Sequence, residues 1–298
     1  MRIVIILLIA ILSTACLRMD SFMFNPTKLE AYTLQNYTGG RFYDDMTAAT
    51  DIPDSLIQLM TLTSVDKGNE ATIYAVYIGD EARIGQDTVI LYCHGNASHM
   101  DAYWDRAELL ANVGGKNRYG VLMLDYRGYG MSEGSSTESS LYADVNTAMK
   151  WLKDMGLTGD RLVMYGFSLG TSAATEVTAN WTVLKPMKLI LEAPFASVNK
   201  IQQDANVISV PSAMYLNIVL DNAEEIKKID QPFLWIHGEA DDFIQIGNGE
   251  LVYANHPGQE NVDKFARRIP NGGHSTVPPI MGLEVYMKLV GDFIAGEL

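Results

Sequence analysis

Only two cysteines occur among the 298 residues, Cys16 and Cys93. Two cysteines are too few for a disulfide framework, and standing far apart they support no metal site. No HExxH helix and no CxxC pair is present, and the chemistry that such metal sites support goes with them. "GNGEL" and "GGKN" are isolated glycine pairs without the GxxxxGK[ST] of a phosphate loop. Positive charge is scarce as well: 22 Lys and Arg face 36 Asp and Glu, a formal net charge of −14. Such a surface repels phosphate backbones, and no Lys/Arg cluster offsets it, so nucleic acid is not an expected partner. Internal repeats and low-complexity tracts are absent. What remains is an ordinary globular balance of 48% hydrophobic and 19% charged residues. An α/β chain of this length commonly forms one domain that buries roughly three quarters of its unfolded-state surface.

The first residues, "MRIVIILLIAILSTAC", read as a processing signal. One positive charge at Arg2 precedes ten apolar residues, Ile3 to Leu12. A run of that length suits a secretory core better than a bilayer span, which needs about twenty residues. Ser13, Thr14 and Ala15 lead into Cys16, and the whole resembles the lipobox of bacterial lipoproteins, although Ser13 stands where leucine is commonest. The resemblance implies that residues 1–15 are removed and that Cys16 is acylated as the mature N-terminus. The alternative is an ordinary signal peptide followed by an incidental cysteine. The expected location is a bacterial cell envelope, with the membrane engaged through an N-terminal lipid. Leu17, rather than aspartate, follows the cysteine, which in the lipoproteins it resembles implies the outer membrane if the cell is Gram-negative. Cys93 lies on an apolar run and is expected in the core.

Residues 16–54 are expected to form a tether and lead-in segment, and 55–298 the folded domain. "LIQLMTLTSV" (56–65) and "TIYAVYI" (72–78) read as strands of a meander around the turn signal "DKGNE". "DTVILYC" (87–93) is a continuous apolar run, as in a strand buried on both faces. "YGVLMLDY" precedes a helix at 139–155, and "RLVMYGF" one at about 169–182. "MKLILEA", "PFLWIHG" and "DKFARRIP" supply three more strands, and an amphipathic helix closes the chain near 280–295. This alternation predicts an α/β fold, a mostly parallel twisted sheet with helices on both faces. The stretch at about 196–231, broken by Pro211 and with a helix at 222–229, is expected to form a short cap over the sheet.

In "RLVMYGFSLGTSAA" a strand gives way to a helix at Gly166-Phe167-Ser168-Leu169-Gly170. A serine hydroxyl needs a base to become nucleophilic and a backbone that projects it toward substrate. A Gly-x-Ser-x-Gly turn does the second: it is so tight that side chains at 166 and 170 would collide, and it holds the serine beside the helix N-terminus. A glycine-bracketed turn with a helix-capping serine is the bland alternative.

With this motif go "CHGNA" (93–97), "LDYRGYGMSEG" (124–134) and "IHGEADDFI" followed by "GGH". Together they resemble the α/β-hydrolase superfamily from about residue 55 onward, and most of all compact serine esterases and protein-depalmitoylase-like hydrolases. The resemblance implies a chain order of serine, acid, histidine. His94 and His237 come too early or belong to other motifs, His99 is expected at a helix start before the serine, and His256 falls before the last strand. His274, just after the last strand in "NGGHST", takes the place of the base. The acid of that family stands three residues beyond a glycine at the strand end, here Asp241, with adjacent Asp242 directed to solvent; some relatives use the preceding strand, which leaves Glu192 as an alternative. Oxyanion N–H donors are implied at Leu169 and Asn96, worth about 3 kcal/mol each in such sites, although the Asn96 side chain could serve only to brace its loop. The motif after the fourth strand is implied to be structural. Tyr126, Tyr129 and Tyr142 are read as packing residues.

These features predict a metal-free, cofactor-independent serine hydrolase acting on carboxylic esters or thioesters of a small-molecule or acylated substrate. A prolyl-oligopeptidase-type serine peptidase is the other enzyme reading, although such enzymes usually carry a propeller for which there is no room. A non-catalytic envelope binding protein on a hydrolase shell is the third. No feature points to an oligomeric state.

Overall fold

The computed structural model describes residues 23–39, 50–180, 182–204 and 218–298. The signal segment and Cys16 lie outside the described residues, as does Pro211 within the expected cap. Eight strands form one sheet: β1 (Ile57–Asp66), β2 (Asn69–Ile78), β3 (Val89–Cys93), β4 (Gly120–Asp125), β5 (Leu162–Phe167), β6 (Lys188–Glu192), β7 (Phe233–Gly238) and β8 (Lys264–Ile269). Their order is β1-β2-β4-β3-β5-β6-β7-β8. From β3 to β8 the strands are parallel, while β2 runs antiparallel to both β1 and β4. The first hairpin is tighter than the turn signal suggested. Lys67 (φ 50°) and Gly68 (φ 83°) form a two-residue loop, whose twist matches the strands, so pairing continues to Asp66 and Asn69.

Eight helices complete the described fold: α1 (Trp104–Ala111), α2 (Glu138–Asp154), α3 (Gly170–Ala179), α4 (Val198–Asp204), α5 (Asn222–Glu225), α6 (Gly247–Asn255), α7 (Val277–Met281) and α8 (Leu283–Ala295). The strand period of two divides the core. Leu91 and Cys93 face Leu141, Val145 and Met149 of α2 and Ala173 and Val177 of α3. Ile90 and Tyr92 face Trp104 and Leu110 of α1 and Leu289, Val290 and Phe293 of α8. This is the α/β-hydrolase arrangement expected from the sequence, with helices on both faces of a mostly parallel sheet.

Three local expectations are amended. The helix expected at 222–229 is one α-helical turn, α5, tightening into a 3₁₀ turn at Ile226–Lys228. The terminal helix is two pieces, α7 and α8, split at Gly282, whose φ of 88° breaks the run. His99 does not open a helix: α1 begins five residues later, at Trp104, and His99 packs edge-on against Tyr37.

Topology places the site. The chain steps from β3 to β4 on one side, then crosses back to β5 on the other. The loops leaving β3 and β5 therefore diverge and open a crevice at the strands' C-terminal ends, where ligands bind in open parallel sheets. The 124–134 motif supports these loops from below. Arg127 Nε and backbone N–H donate to Asp144 at 2.9 and 2.7 Å, and Ser64 Oγ donates to the same carboxylate at 2.6 Å. Burial pushes the Asp144 carboxyl up, against the pull of these donors.

Candidate active site

Ser168 stands between β5 and α3 with φ 51°, a left-handed conformation that costs a non-glycine residue roughly 1–2 kcal/mol. The turn is held by the Ser168 N–H on the Glu192 carbonyl (3.0 Å) and by the Thr171 N–H on the Ser168 carbonyl (2.9 Å). Both flanking glycines are required, and a Cβ at Gly166 would lie 2.7 Å from the Gly170 carbonyl oxygen. The same Cβ would lie 2.6 Å from Thr171 Cα, and one at Gly170 would lie 2.0 Å from the Cys93 carbonyl oxygen. The contact at Gly170 is with β3, so the elbow is pressed against the loop that carries Asn96.

His274 reaches the serine from the loop after β8. Its Nε2 lies 2.9 Å from Ser168 Oγ, and its Nδ1 lies 2.8 Å from Asp241 Oδ2. The serine hydroxyl can donate to Nε2 only if the ring proton sits on Nδ1, and Asp241 favours that tautomer. Asp241 follows β7 and is 5% exposed. Its Oδ1 accepts the N–H groups of Phe243 (3.0 Å) and Ile244 (2.8 Å). Burial alone would raise its pKa. Hydrogen bonds from His237 and His274, the His274 charge and the Ile244 N–H outweigh burial and hold the carboxyl well below the usual carboxylate range. Asp242 is exposed and lines the cavity.

The Glu192 backbone holds the Ser168 N–H, but its carboxylate does not meet His274. That carboxylate is fully buried on the α1/α8 side, bound by Arg106 Nη1 (3.0 Å), the Tyr286 hydroxyl (2.9 Å) and the Tyr165 hydroxyl. His94 and His237 are buried structural residues. His94 Nε2 meets Asp125 Oδ1 at 3.1 Å, and His237 Nε2 meets the Ile244 carbonyl at 2.8 Å. His256 lies against the Gln231 carbonyl at 3.1 Å, away from the serine.

Asn96 and Leu169 line one cavity with Ser168. Among the described residues neither backbone N–H meets an acceptor, which leaves both available to a ligand oxygen. The Asn96 side chain braces its loop instead. Its Oδ1 accepts from Asn25 N (2.8 Å), Ala97 N (2.8 Å) and the Tyr129 hydroxyl (2.7 Å). Tyr129 and Tyr126 are packing residues, as expected, but their hydroxyls also steady this loop, Tyr126 by donating to the His94 carbonyl at 2.9 Å. Below them Asp125 accepts from Met100 N (2.9 Å) and from the Tyr32 hydroxyl (2.6 Å).

The cavity has a volume of about 610 Å³. Met23, Phe195, Ile201 and Ile244 supply apolar wall, with Asp204 and Asp242 also lining it. A larger cavity of about 750 Å³ lies beside α8 and includes none of Ser168, Asp241 and His274. Met23 and Asn25 belong to the lead-in segment, whose role here no sequence pattern announces. Its neighbour Phe24 is buried in the core, and Thr33 and Leu34 donate backbone N–H groups to Asp101 at 2.8 and 2.9 Å. Among the described residues no cluster of three His, Cys, Asp or Glu side chains is arranged to hold a metal.

The fold is the α/β-hydrolase fold, and known proteins similar to this chain share it. Residues 85–215 match the family Hydrolase_4, described as serine aminopeptidase, S33. The human α/β hydrolase domain-containing protein 17B is 28% identical over 246 residues, 82% of this chain and 77% of its own. The uncharacterized protein YfhR of Escherichia coli K12 is 29% identical over 213 residues, 70% of each chain. Among solved structures, the Pyrococcus furiosus esterase Pf2001 superposes with a TM-score of 0.62 at 17% identity, covering 92% of this chain and 97% of the esterase. That likeness is one of fold.

Proposed function

We propose that the protein is a serine hydrolase that cleaves carboxylic ester or thioester bonds through an acyl-enzyme on Ser168. The observation that carries this reading is the relay itself, Ser168 Oγ to His274 Nε2 at 2.9 Å and His274 Nδ1 to Asp241 at 2.8 Å. Ser168 Oγ attacks the acyl carbonyl while His274 takes its proton, and Asp241 stabilises the imidazolium that forms. The N–H groups of Asn96 and Leu169 receive the oxyanion. The imidazolium then protonates the leaving alcohol or thiol. A water, deprotonated by the same imidazole, releases the acid in a second pass through the same geometry.

The apolar cavity wall supports a hydrocarbon acyl group as the part of the substrate that is held. The test is turnover of p-nitrophenyl esters from acetate to palmitate, together with labelling by a fluorophosphonate. Ester turnover with an optimum at an intermediate chain length is the expected result. A protein that neither turns over nor labels is the non-catalytic envelope protein instead. Labelling without ester turnover favours a peptidase. The aminopeptidase description of the matching family supports that second reading, and aminoacyl p-nitroanilides test it.

Cys16 is proposed as the lipidated N-terminus of an envelope-bound enzyme, on the strength of the sequence around it. Met23, at the cavity, stands seven residues beyond Cys16. A chain of that length reaches at most about 25 Å, so an acyl anchor would keep the cavity close to the bilayer surface. The intact mass of protein extracted from membranes is expected to show acyl additions that Cys16→Ala lacks. An unmodified wild-type mass would reject the anchor.

A further inference from the structure

Arg106 lies on α1, outside every motif, yet its guanidinium touches the neighbours of both reacting side chains. Nη2 donates to the carbonyl of Ser275, the residue after His274, at 3.2 Å. The guanidinium carbon sits 3.9 Å from the ring centroid of Phe167, the residue before Ser168. That ring in turn lies 5.2 Å from the His274 imidazole. Nη1 pairs with Glu192 at 3.0 Å, and the Glu192 backbone carbonyl accepts the N–H of Ser168. Arg106 and Glu192 side chains are 3% and 0% exposed.

We infer that Arg106 is a positioning residue for the Ser168–His274 pair, an inference that rests on the serine-hydrolase reading above. One planar, rigid fork joins β5, β6 and the loop after β8. The contacts act beside the chemistry: on the elbow through Phe167, which precedes Ser168, and Glu192, whose carbonyl holds the Ser168 N–H, and on the base through Ser275, which follows His274. The loop after β8 contains Gly272 and Gly273 and has little backbone stiffness of its own, so a fixed point at Ser275 limits the approach of the imidazole to Ser168 Oγ. The chemistry calls for arginine in particular. A lysine supplies a point charge that can pair with Glu192, but it cannot also span to the Ser275 carbonyl and lie flat on Phe167. Glu192 accepts two tyrosine hydroxyls besides Arg106, so it balances the guanidinium and is itself locked in place.

The test compares wild type, Arg106→Lys, the charge-neutral double variant Arg106→Met/Glu192→Gln, and Ser168→Ala. The readouts are kcat and KM on one soluble p-nitrophenyl ester, the rate of fluorophosphonate labelling, and the melting temperature. Arg106→Lys keeps the buried ion pair and is expected to melt within about 5 °C of wild type. Its kcat and labelling rate are expected to fall together by about 10- to 100-fold, the scale of a small misplacement of reacting groups. KM is expected to stay within about twofold, since Arg106 does not line the cavity. The double variant, which leaves no unpaired buried charge, is expected to fold and to show the same loss in kcat. The inference is overturned if either folded variant retains wild-type kcat, or if the loss appears in KM. It is also overturned if activity merely follows melting temperature across the series. Wild type that neither turns over nor labels, indistinguishable from Ser168→Ala, instead rejects the underlying hydrolase reading, and this inference with it.

Discussion

Replacing Ser168 with alanine is expected to lower ester turnover by about 10⁴- to 10⁶-fold, the loss seen when a triad nucleophile is removed. The residual rate would come from the oxyanion donors and the cavity, which the substitution leaves intact. Stability should move differently from activity. Ser168 has φ 51° because β5, the following helix and the Glu192 carbonyl together hold it there. Glycine adopts that conformation without the Cβ penalty, at a relief of roughly 1 kcal/mol. Ser168→Gly is therefore expected to be as inactive as Ser168→Ala and to melt at or above its temperature. Thermal unfolding of the two variants beside their turnover checks this. An alanine variant that kept more than a small fraction of wild-type turnover would remove Ser168 from the role of nucleophile.

Asp241→Asn should cost about 10⁴-fold in kcat, for a reason of protons more than of charge. An asparagine that turns its NH₂ toward His274 Nδ1 donates where the carboxylate accepted. The ring proton then moves to Nε2, which can no longer take one from Ser168 Oγ 2.9 Å away. The same residue gives the fold a pH signature. Its carboxyl is held below the usual carboxylate range, against the opposing effect of burial, by His237, His274 and the Ile244 N–H. A depressed pKa contributes stability that is present above the unfolded value, about 3.9. That contribution is lost as pH falls below it toward the folded value. Denaturant unfolding should therefore weaken more steeply below about pH 4 in wild type than in Asp241→Asn. Parallel slopes for the two proteins would show that the carboxylate is not held as its contacts imply.

The fold was legible because each strand carries its own evidence. "VILYC", "GVLMLD" and "LVMYGF" are apolar almost without interruption, which suits strands covered on both faces, and these are the buried central strands β3, β4 and β5. Ser168 was legible because the glycines at 166 and 170 leave a pattern that backbone crowding demands. His274 and Asp241 were reached through their places after the last strands in a resembling family; no local pattern singles either out. The structure brings them to the serine, while the carboxylate of Glu192, the other candidate acid, is taken up by Arg106, Tyr165 and Tyr286.

What stayed hidden is what depends on approach between distant segments. Nothing around Met23 or Asn25 says that they will line one cavity with Ser168, more than 140 residues along the chain, because a short segment without period has no face of its own to read. The collision that forbids a side chain at 170 is with the carbonyls of Cys93 and His94, at the end of another strand. Arg106 sits on a helix whose whole length is buried, so neither charge nor period marks it as different from its neighbours. The sequence by itself determined the order of strands and helices, the turn that exposes Ser168 and the chemistry open to it, since these follow from local sterics and the burial of apolar faces. Only the tertiary structure decided which carboxylate meets His274, what walls the cavity and which buried groups lie beside Ser168 and His274, because those are contacts across the sheet that no single stretch of chain contains.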